Sequence, residues 1–563
     1  MKPPLNQDHR IDALTGIRFL AAITVAVAHG TPRFFNFQGD PVWLTILHGF
    51  VGIGMSLFFV LSGFVIFLNY GDKLARADAV AILKFLTSRF ARIYPLFFIL
   101  FAIEYALGRQ GASWAITDRS ELTSKLEALW ETLPYYLTMT HSWVFKIDSA
   151  NNLIYQYGLI AQISWSIATE WYFYLVFPVF TLGFTRLHSA AKAMLALLGI
   201  YGITTLLSIL AVQNGLSITE WSIARFGSTA GDILNPQNIW AQDSFLRWLL
   251  YFFPLSQLGN FLVGALSAKI YLILADTPIS HVERRAAPFL AIGSITLLIA
   301  MHIYNVSDVL GFRLPWPYFF LAGNCYFTLP IAYLIFTCAR HGHFVSRFFG
   351  ARWLVYAGEA SYSIYLLHMA IFSSIGTWFV MVTEPVALWV ASIRFFICLL
   401  ALIILARGCY EIVERPTMFW LRSSLVIILN RMVRTASPRR LTISILIGLC
   451  LVGTWPIVSL ATSLVAPTVD QKVGIRILSA TYGKNCKAQE GNATNALWRR
   501  CGGKEHCEYK VDVGQLGDPA PGCGKEFEAL WTCPNASTPT RAILAAEAGF
   551  GSVLQLSCKT AKR

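Results

Sequence analysis

Charge is what this chain has least of. Asp, Glu, Lys and Arg together make up 13% of its 563 residues, about half of the ~25% usual in a soluble globular domain. With 55% of residues hydrophobic and 14% aromatic, and a mean hydropathy of +0.54, there is too little polar side chain to coat a water-soluble fold. The chain is therefore expected to be an integral membrane protein. It has no internal repeat and no low-complexity tract, which excludes a repeat architecture, and no Walker or GxGxxG element, so nothing suggests ATP-driven transport. No small-residue cleavage pattern follows the first apolar run, so the first helix is expected to be retained with its N-terminus inside. No metal is expected.

What is present in abundance is apolar sequence long enough to span a bilayer, about 20 residues at a time. Eleven such stretches recur near 13–31, 50–69, 93–108, 165–185, 192–212, 248–272, 286–304, 317–338, 361–382, 387–406 and 441–466. The net charge of +14 would suit a nucleic-acid partner, but its distribution argues against one. Basic residues gather in alternate loops: Lys73, Arg76, Lys84, Arg89 and Arg92, then Arg186 and Lys192, then Arg284 and Arg285, then Arg340, Arg347 and Arg352, then the run from Arg407 to Arg440. The positive-inside rule makes these loops cytoplasmic, and an odd number of spans then leaves the end of the chain outside.

The cysteines point the same way. Cys325, Cys338, Cys398, Cys409 and Cys450 are scattered through apolar sequence, whereas Cys486, Cys501, Cys507, Cys523, Cys533 and Cys558 crowd into the last hundred residues. Six cysteines in a small polar segment read as a disulfide framework in an oxidising compartment, most simply a bacterial periplasm. The expected organisation is a polytopic all-α membrane unit over 1–440, a separate span over 441–466 behind the basic "NRMVRTASPRR", and a compact β-rich domain over 467–563, where short alternating segments such as "VGIRILSA" are punctuated by Gly, Pro, Asn and Cys. Two longer outside loops, roughly 109–160 and 213–246, are rich in Trp, Tyr, Gln and Asn.

Within the apolar runs a few polar residues stand out. Arg18 and His29 are eleven apart, which at 100° per residue closes to within about 20° of three full turns. They share one helix face, separated by roughly 16 Å along the axis. An Arg at membrane depth costs on the order of 2.5–3.5 kcal/mol, so it usually faces a bundle interior or a wet cavity, unless it snorkels to the interface. In "RFARIYP", residues 89–95, Arg89 and Arg92 at i and i+3 project two planar donors to one side at an inner mouth, which suits a phosphate-rich ligand. Glu170, amid the aromatics of "SWSIATEWYFYLVFP" over 164–178, must be paired or protonated; it is placed to hold one of the arginines or to orient His29. In "ASYSIYLLHMA", 360–370, Ser361, Tyr365 and His368 form a polar stripe, and Glu414, Arg415 and Pro416 end the tenth span.

Taken in order, these elements resemble the membrane-bound acyltransferase-3 family. The motifs are the R-x10-H of Arg18 and His29, "FFVLSGF" at 58–64, R-x-x-R-I-x-P at 89–95, "WSIATE" at 165–170, "SYSIYLLH" at 361–368 and "ERP" at 414–416. The resemblance covers about residues 8–420. One departure is "GIGMSLFF", where many members carry an acidic residue shortly before the two Phe. The resemblance implies an O-acyltransferase that takes acetyl-CoA, or another acyl-CoA, from the cytoplasm and acylates a hydroxyl of a periplasmic or cell-surface glycan such as lipopolysaccharide, peptidoglycan or exopolysaccharide. It implies His29, Arg18 and Glu170 as catalytic residues, and Arg89, Arg92, Arg18, Tyr94, Trp165, Ser166, His368, Glu414 and Arg415 as donor-binding ones. Residence in the bacterial inner membrane follows from the same resemblance. A transporter or flippase of a glycan or lipid-linked precursor, or a membrane-anchored lectin, are the rival functions.

The tail carries a second, partial resemblance, to the rhamnose/galactose-binding lectin domain, through "SATYGKN" at 479–485, "CGGKEHC" at 501–507 and "GDPAPGCGKEFEALWTC" at 517–533. It implies Tyr482, Asp518 and Lys525 as sugar contacts. Lys484 replaces the usual Arg, and Ala520 and Cys523 stand where Cys and Thr are usual, so the resemblance implies one rewired disulfide. A stapled spacer without sugar binding is the alternative. Many acyltransferases of this kind instead carry an esterase-like domain after the extra span, but no Gly-Asp-Ser nucleophile motif occurs here.

Overall fold

Apolar runs of this length can bury their backbone polar groups in lipid only as helices, and helices account for nearly all of the first four-fifths of the fold. The computed structural model describes residues 11–35, 42–76, 78–106, 130–146, 154, 163–226, 245–306, 321, 323–380, 388–433, 438–465, 475–488, 491–501, 504–516, 518–520, 522–533 and 539–558. The helices used below are α1 (Asp12–Phe34), α2 (Val42–Leu74), α3 (Ala79–Ala106), α4 (Trp165–Phe184), α5 (Ala190–Gln213), α6 (Gly215–Phe226), α7 (Pro254–Leu274), α8 (His281–Val306), α9 (Thr328–Arg340), α10 (Phe344–Phe349), α11 (Arg352–Glu359), α12 (Ser361–Val380), α13 (Leu388–Cys409), α14 (Arg415–Val433) and α15 (Pro438–Val465). The chain divides into two compact units, 1–213 with 249–460 and 214–248 with 461–563.

Nine helices among the described residues are long and apolar enough to cross a membrane. Among its described residues, the stretch expected to span near 317–338 is α-helical only over Thr328–Arg340, which has thirteen residues. Amides on α7 explain why: Gln257 Nε2 donates to the carbonyls of Tyr251 (3.0 Å) and Gly323 (2.9 Å), and Asn260 Nδ2 donates to that of Asn324 (2.5 Å). They satisfy backbone carbonyls that a continuous helix would have paired internally, as irregular backbone buried in a membrane protein requires. Near 361–382, α12 has the length of a span, 20 residues, but Ser361, Ser363, His368, Ser373 and Ser374 reduce its hydropathy. The expected end at Glu414-Arg415-Pro416 is not a helix end. A π-helical turn over Tyr410–Glu414 joins α13 to α14 in one continuous run.

Burial separates interior from lipid-facing helices. In α1, 61% of the apolar stretch is buried, against 17% in α5 and 11% in α15, so α1 lies inside the bundle and the other two face lipid. Leu195, Ile203, Leu206 and Leu207 on α5 and Ile443, Ile447 and Leu451 on α15 are exposed accordingly. α1 packs on α2, α11 and α12, and α2 packs along α7. Small residues permit these crossings. A Cβ added to Gly63 would lie 1.9 Å from the Phe261 carbonyl oxygen, and one added to Gly264 would lie 1.9 Å from that of Val60, so α2 and α7 touch backbone to backbone. Gly16 meets Phe349 and Gly358 meets Thr15 in the same way.

The second unit contains α6 and a small β structure. β1 (Arg476–Tyr482), β3 (Phe527–Thr532) and β4 (Thr540–Leu544) form an antiparallel sheet in the order β1-β3-β4, and β2 (His506–Asp512) pairs antiparallel with β5 (Phe550–Ser557). Alternation sets the inner face: Cys507, Tyr509 and Val511 of β2 and Phe527, Ala529 and Trp531 of β3 are buried in one core with Ile477, Leu497 and Leu554. All six terminal cysteines are paired, as Cys486–Cys523, Cys501–Cys507 and Cys533–Cys558, while the five others are free thiols. The unusual Cys523 thus closes the longest loop of the three.

The α2/α7 crossing makes a direct test of the packing. Gly63→Ala or Gly264→Ala is expected to cost about 1–3 kcal/mol or more, by forcing the backbones apart. Gly199→Ala, in a helix with nothing within 4 Å of the added Cβ, is expected to be neutral or stabilising by up to ~1 kcal/mol. Melting of the detergent-solubilised protein measures all three, and equal melting temperatures would contradict the crossing.

Candidate functional site

Five helices converge on a chamber of about 90 Å³, whose lining includes Arg18 of α1, Ser62 of α2, Arg89 and Arg92 of α3, Glu170 and Tyr174 of α4, and Tyr365 of α12. Arg18, Arg89 and Arg92 also border a second, larger cavity of about 560 Å³. Beside them stand Lys73, Lys84 and Arg422, and none of its sixteen lining residues is acidic. Six cations around one hollow form a vestibule for an anion. Of the residues singled out in the sequence, Arg18, Arg89 and Arg92 border both cavities.

The surrounding groups hold the arginines without neutralising them all. Arg89 Nη2 donates to the Tyr70 hydroxyl at 3.0 Å, and its guanidinium lies 4.9 Å from the centre of the Tyr70 ring and 5.9 Å from that of Tyr174. Its Nε is buried with no partner. Arg18 makes no hydrogen bond or ion pair among the described residues. Glu170 accepts from Ser62 Oγ at 2.9 Å and from the Tyr174 hydroxyl, so hydroxyls, and not a direct ion pair, hold its carboxylate. The π-helical turn carries Glu414 inward, where it is buried; Ser363 Oγ donates to it at 2.6 Å and Arg92 lies within electrostatic reach. Three arginines against two carboxylates leave this inner group one positive charge in excess.

His29, further along α1, sits against another ring. Its Nδ1 is 3.0 Å from His368 Nε2, and His368 is fully buried. Glu170 lines the chamber, whereas neither His29 nor His368, the latter expected among the donor-binding residues, borders either of these two cavities. Two aromatic positions carried over from the motifs make ring contacts and border neither of these cavities. Tyr94 stacks between Phe90 (4.4 Å) and Phe98 (5.6 Å), and Trp165 packs on Tyr251 and Phe252. Ser166 does line the chamber, bonded to the Tyr365 hydroxyl at 2.7 Å. Arg415 points away, paired with Glu411 at 3.1 Å and half exposed. A further histidine, His141, lies 4.3 Å from the Tyr136 ring and 3.0 Å from Ser164 Oγ; burial pushes its pKa down to about 3, which leaves it neutral.

Sequence reasoning missed several members of the site. Tyr70 carries no motif, and Tyr174 was legible only as the residue one turn after Glu170. Lys73 and Lys84 satisfy the topology rule whether or not they bind, and Arg422 falls within a basic run. In the second unit the three residues singled out do cluster: Lys525 Nζ lies 2.8 Å from Asp518 Oδ1 and donates to the Cys523 carbonyl at 2.7 Å, 5.9 Å from the centre of the Tyr482 ring. The adjacent ammonium holds the Asp518 carboxyl below the usual carboxylate range.

Comparison with known proteins bears on the same residues. A family model described as an acyltransferase domain matches residues 11–407, which encloses every residue lining the chamber and stops before Glu414 and Arg422. Acyltransferase MdmB of Streptomyces mycarofaciens is 33% identical over 175 residues, 30% of this chain and 39% of that protein. Peptidoglycan O-acetyltransferase OatA of Listeria monocytogenes serovar 1/2a is 22% identical over 410 residues, 72% of this chain and 55% of that protein. The chain thus spans between about two-fifths and just over half the length of these curated relatives. No solved structure matches. With some seven-tenths of its length matched by the family model and nine candidate membrane spans among the described residues, the chain is a multi-pass membrane protein and belongs to the acyltransferase-3 family.

Proposed function

We propose that this acyltransferase takes an acyl group, most simply acetyl, from a coenzyme A thioester held through its phosphates in the vestibule, and transfers it to a hydroxyl of a periplasmic or cell-surface glycan. The observation that carries the reading is the six cations, without a carboxylate, that line the larger cavity, three of which also line the chamber. Coenzyme A presents several phosphates, and Arg89, Arg92 and Arg422 supply planar paired donors for such groups while Lys73 and Lys84 supply point charges. The thioester supplies an activated acyl carbon. Arg18, which borders both cavities, is placed to hold the phosphopantetheine region of the donor. Glu170, held by Ser62 and Tyr174, balances the Arg18 charge.

His29 is the base, since imidazole titrates near neutrality and suits general acid-base chemistry. It removes the proton of the acceptor hydroxyl as the new C–O bond forms and the C–S bond breaks, and that proton then passes to the departing thiolate. The vestibule lies at the N-terminal end of α1, beside Ile11, Leu14 and Thr15, and His29 lies roughly 16 Å along the axis from Arg18. This matches a donor arriving from the cytoplasm and an acceptor on the other side. Residues 467–563, stapled by three disulfides, are read as a periplasmic domain beyond the 441–466 span, because such bonds persist in oxidising compartments. Its Tyr482, Asp518 and Lys525 cluster is read as a lectin-like contact that holds the glycan.

Two experiments test this reading. In a bacterial strain carrying His29→Ala, base-labile acetyl on the surface polysaccharide is expected to fall to the level of a strain lacking the gene, with the protein still present in the membrane. Unchanged acetylation would sink the assignment. Ending the chain at residue 466 is expected to raise the KM for the glycan about tenfold, equivalent to ~1.4 kcal/mol of binding, with kcat within about twofold. An unaltered KM would reduce the domain to a spacer.

A further inference from the structure

One face of α2 lines both cavities. Lys73, Asn69 and Val65 border the vestibule, and Val65, Ser62, Phe58 and Met55 border the chamber, at intervals of three or four residues that keep them on one side of a helix. At 1.5 Å per residue, the stretch from Lys73 to Met55 covers about 27 Å. Polarity changes along that line. Lys73 and Tyr70 stand at the vestibule end, Ser62 lies midway, and the far end of the chamber offers the Met55 thioether and the Phe58 ring.

That apolar end is firmly walled. The Phe58 ring meets Tyr365 edge-on, 5.6 Å between centroids, and packs with Ala22 and Ala26, which lie on α1 between Arg18 and His29. Tyr365 is fixed in turn, since its hydroxyl donates to the Ile163 carbonyl at 2.8 Å and meets Ser166 Oγ at 2.7 Å. Met55 is buried. Interiors packed in this way yield little to an extra methylene, so volume decides what fits. An apolar cavity of about 150 Å³ takes benzene, with its six carbons. The chamber has about 90 Å³, room on the same scale for about three or four heavy atoms. An acetyl group has three and a butanoyl group five.

We infer that Met55 and Phe58 are the specificity-determining residues for the acyl group, forming the wall against which its chain ends and limiting it to two or three carbons. The phosphates lie at the cationic end of the α2 face, the arm passes the Arg18 junction, and the thioester brings the acyl carbons to the apolar end. A longer chain must displace the Phe58 ring, which Tyr365, Ala22 and Ala26 hold in place. The inference rests on the reading of a coenzyme A thioester as the donor, and adds to it the size of the group transferred.

The test varies the acyl chain and the wall together. Membranes bearing the full-length protein are given acetyl-, propanoyl-, butanoyl- or hexanoyl-CoA radiolabelled in the acyl group, and label is followed into base-labile polysaccharide. One methylene too many in an apolar pocket costs about 10- to 200-fold, so wild type is expected to show a kcat/KM for butanoyl-CoA at least about 100-fold below that for acetyl-CoA. Phe58→Ala is expected to raise the butanoyl-to-acetyl ratio at least about tenfold, and Phe58→Leu and Met55→Ala to raise it by smaller factors. Each ratio is taken within one membrane preparation, so it does not depend on how much protein accumulates, and Phe58→Leu serves where Phe58→Ala is lost from the membrane. Phe64→Ala controls for general loosening of α2. Phe64 is fully buried but lines neither cavity, and its variant is expected to keep the wild-type ratio. A flat chain-length profile in wild type, unchanged ratios in the Phe58 and Met55 variants, or an equal shift in Phe64→Ala overturns the inference while leaving the donor reading intact. No transfer from any of the four thioesters by wild-type membranes whose polysaccharide is acylated in the cell defeats the donor reading, and this inference with it.

Discussion

Three guanidiniums held inside an apolar bundle set the terms for everything around them. Each arginine at membrane depth costs on the order of 2.5–3.5 kcal/mol, which favours placing them around a cavity. The fold supplies partial compensation only. Glu170 and Glu414 approach, but hydroxyls of Ser62, Tyr174 and Ser363 hold the two carboxylates, and Arg18 has no hydrogen-bond or ion-pair partner among the described residues. Such a surplus is the physical basis for proposing an anionic ligand here.

The rest of the architecture follows from keeping that group in place. α1 is an interior helix, and backbone contacts at Gly16 and Gly358 hold it on α10 and α11, while those at Gly63 and Gly264 hold α2 on α7. Contacts this close leave the polar side chains little room to move. The π-helical turn at 410–414 rotates Glu414 into the bundle without ending the helix, and the Gln257 and Asn260 amides let a thirteen-residue helix replace a full span. Lipid-facing α5 and α15 carry no part of the site and show it in their exposed Leu and Ile.

Much of this was legible in the sequence, for identifiable reasons. The eleven-residue interval from Arg18 to His29 and the i, i+3 pair Arg89 and Arg92 are statements of helical period, and an apolar context makes each charge conspicuous. Alternating strands and six clustered cysteines made the terminal β domain readable in the same way, although which cysteine pairs with which depends on three-dimensional approach. Contacts between distant helices were not readable. The partners of Glu170 lie 108 residues away at Ser62 and one turn on at Tyr174, and His368 meets a residue 339 positions distant. Lys73, Lys84 and Arg422 were hidden because basic residues beside a span satisfy the topology rule whether or not they also bind. The ring contacts of Tyr94 and Trp165 were equally unreadable, because their partners Phe98, Tyr251 and Phe252 carry no motif.

The central claim is that the vestibule receives a polyphosphorylated donor. Direct titration of the purified, detergent-solubilised protein with coenzyme A and with pantetheine, which has the same arm without the phosphates, tests it most directly, with Arg89→Glu as the control. Coenzyme A is expected to bind, pantetheine to bind at least about a hundredfold more weakly, as loss of two or more charge-assisted contacts implies, and Arg89→Glu to erase the difference. Equal affinity for the two ligands, or full coenzyme A binding by Arg89→Glu, would contradict the account.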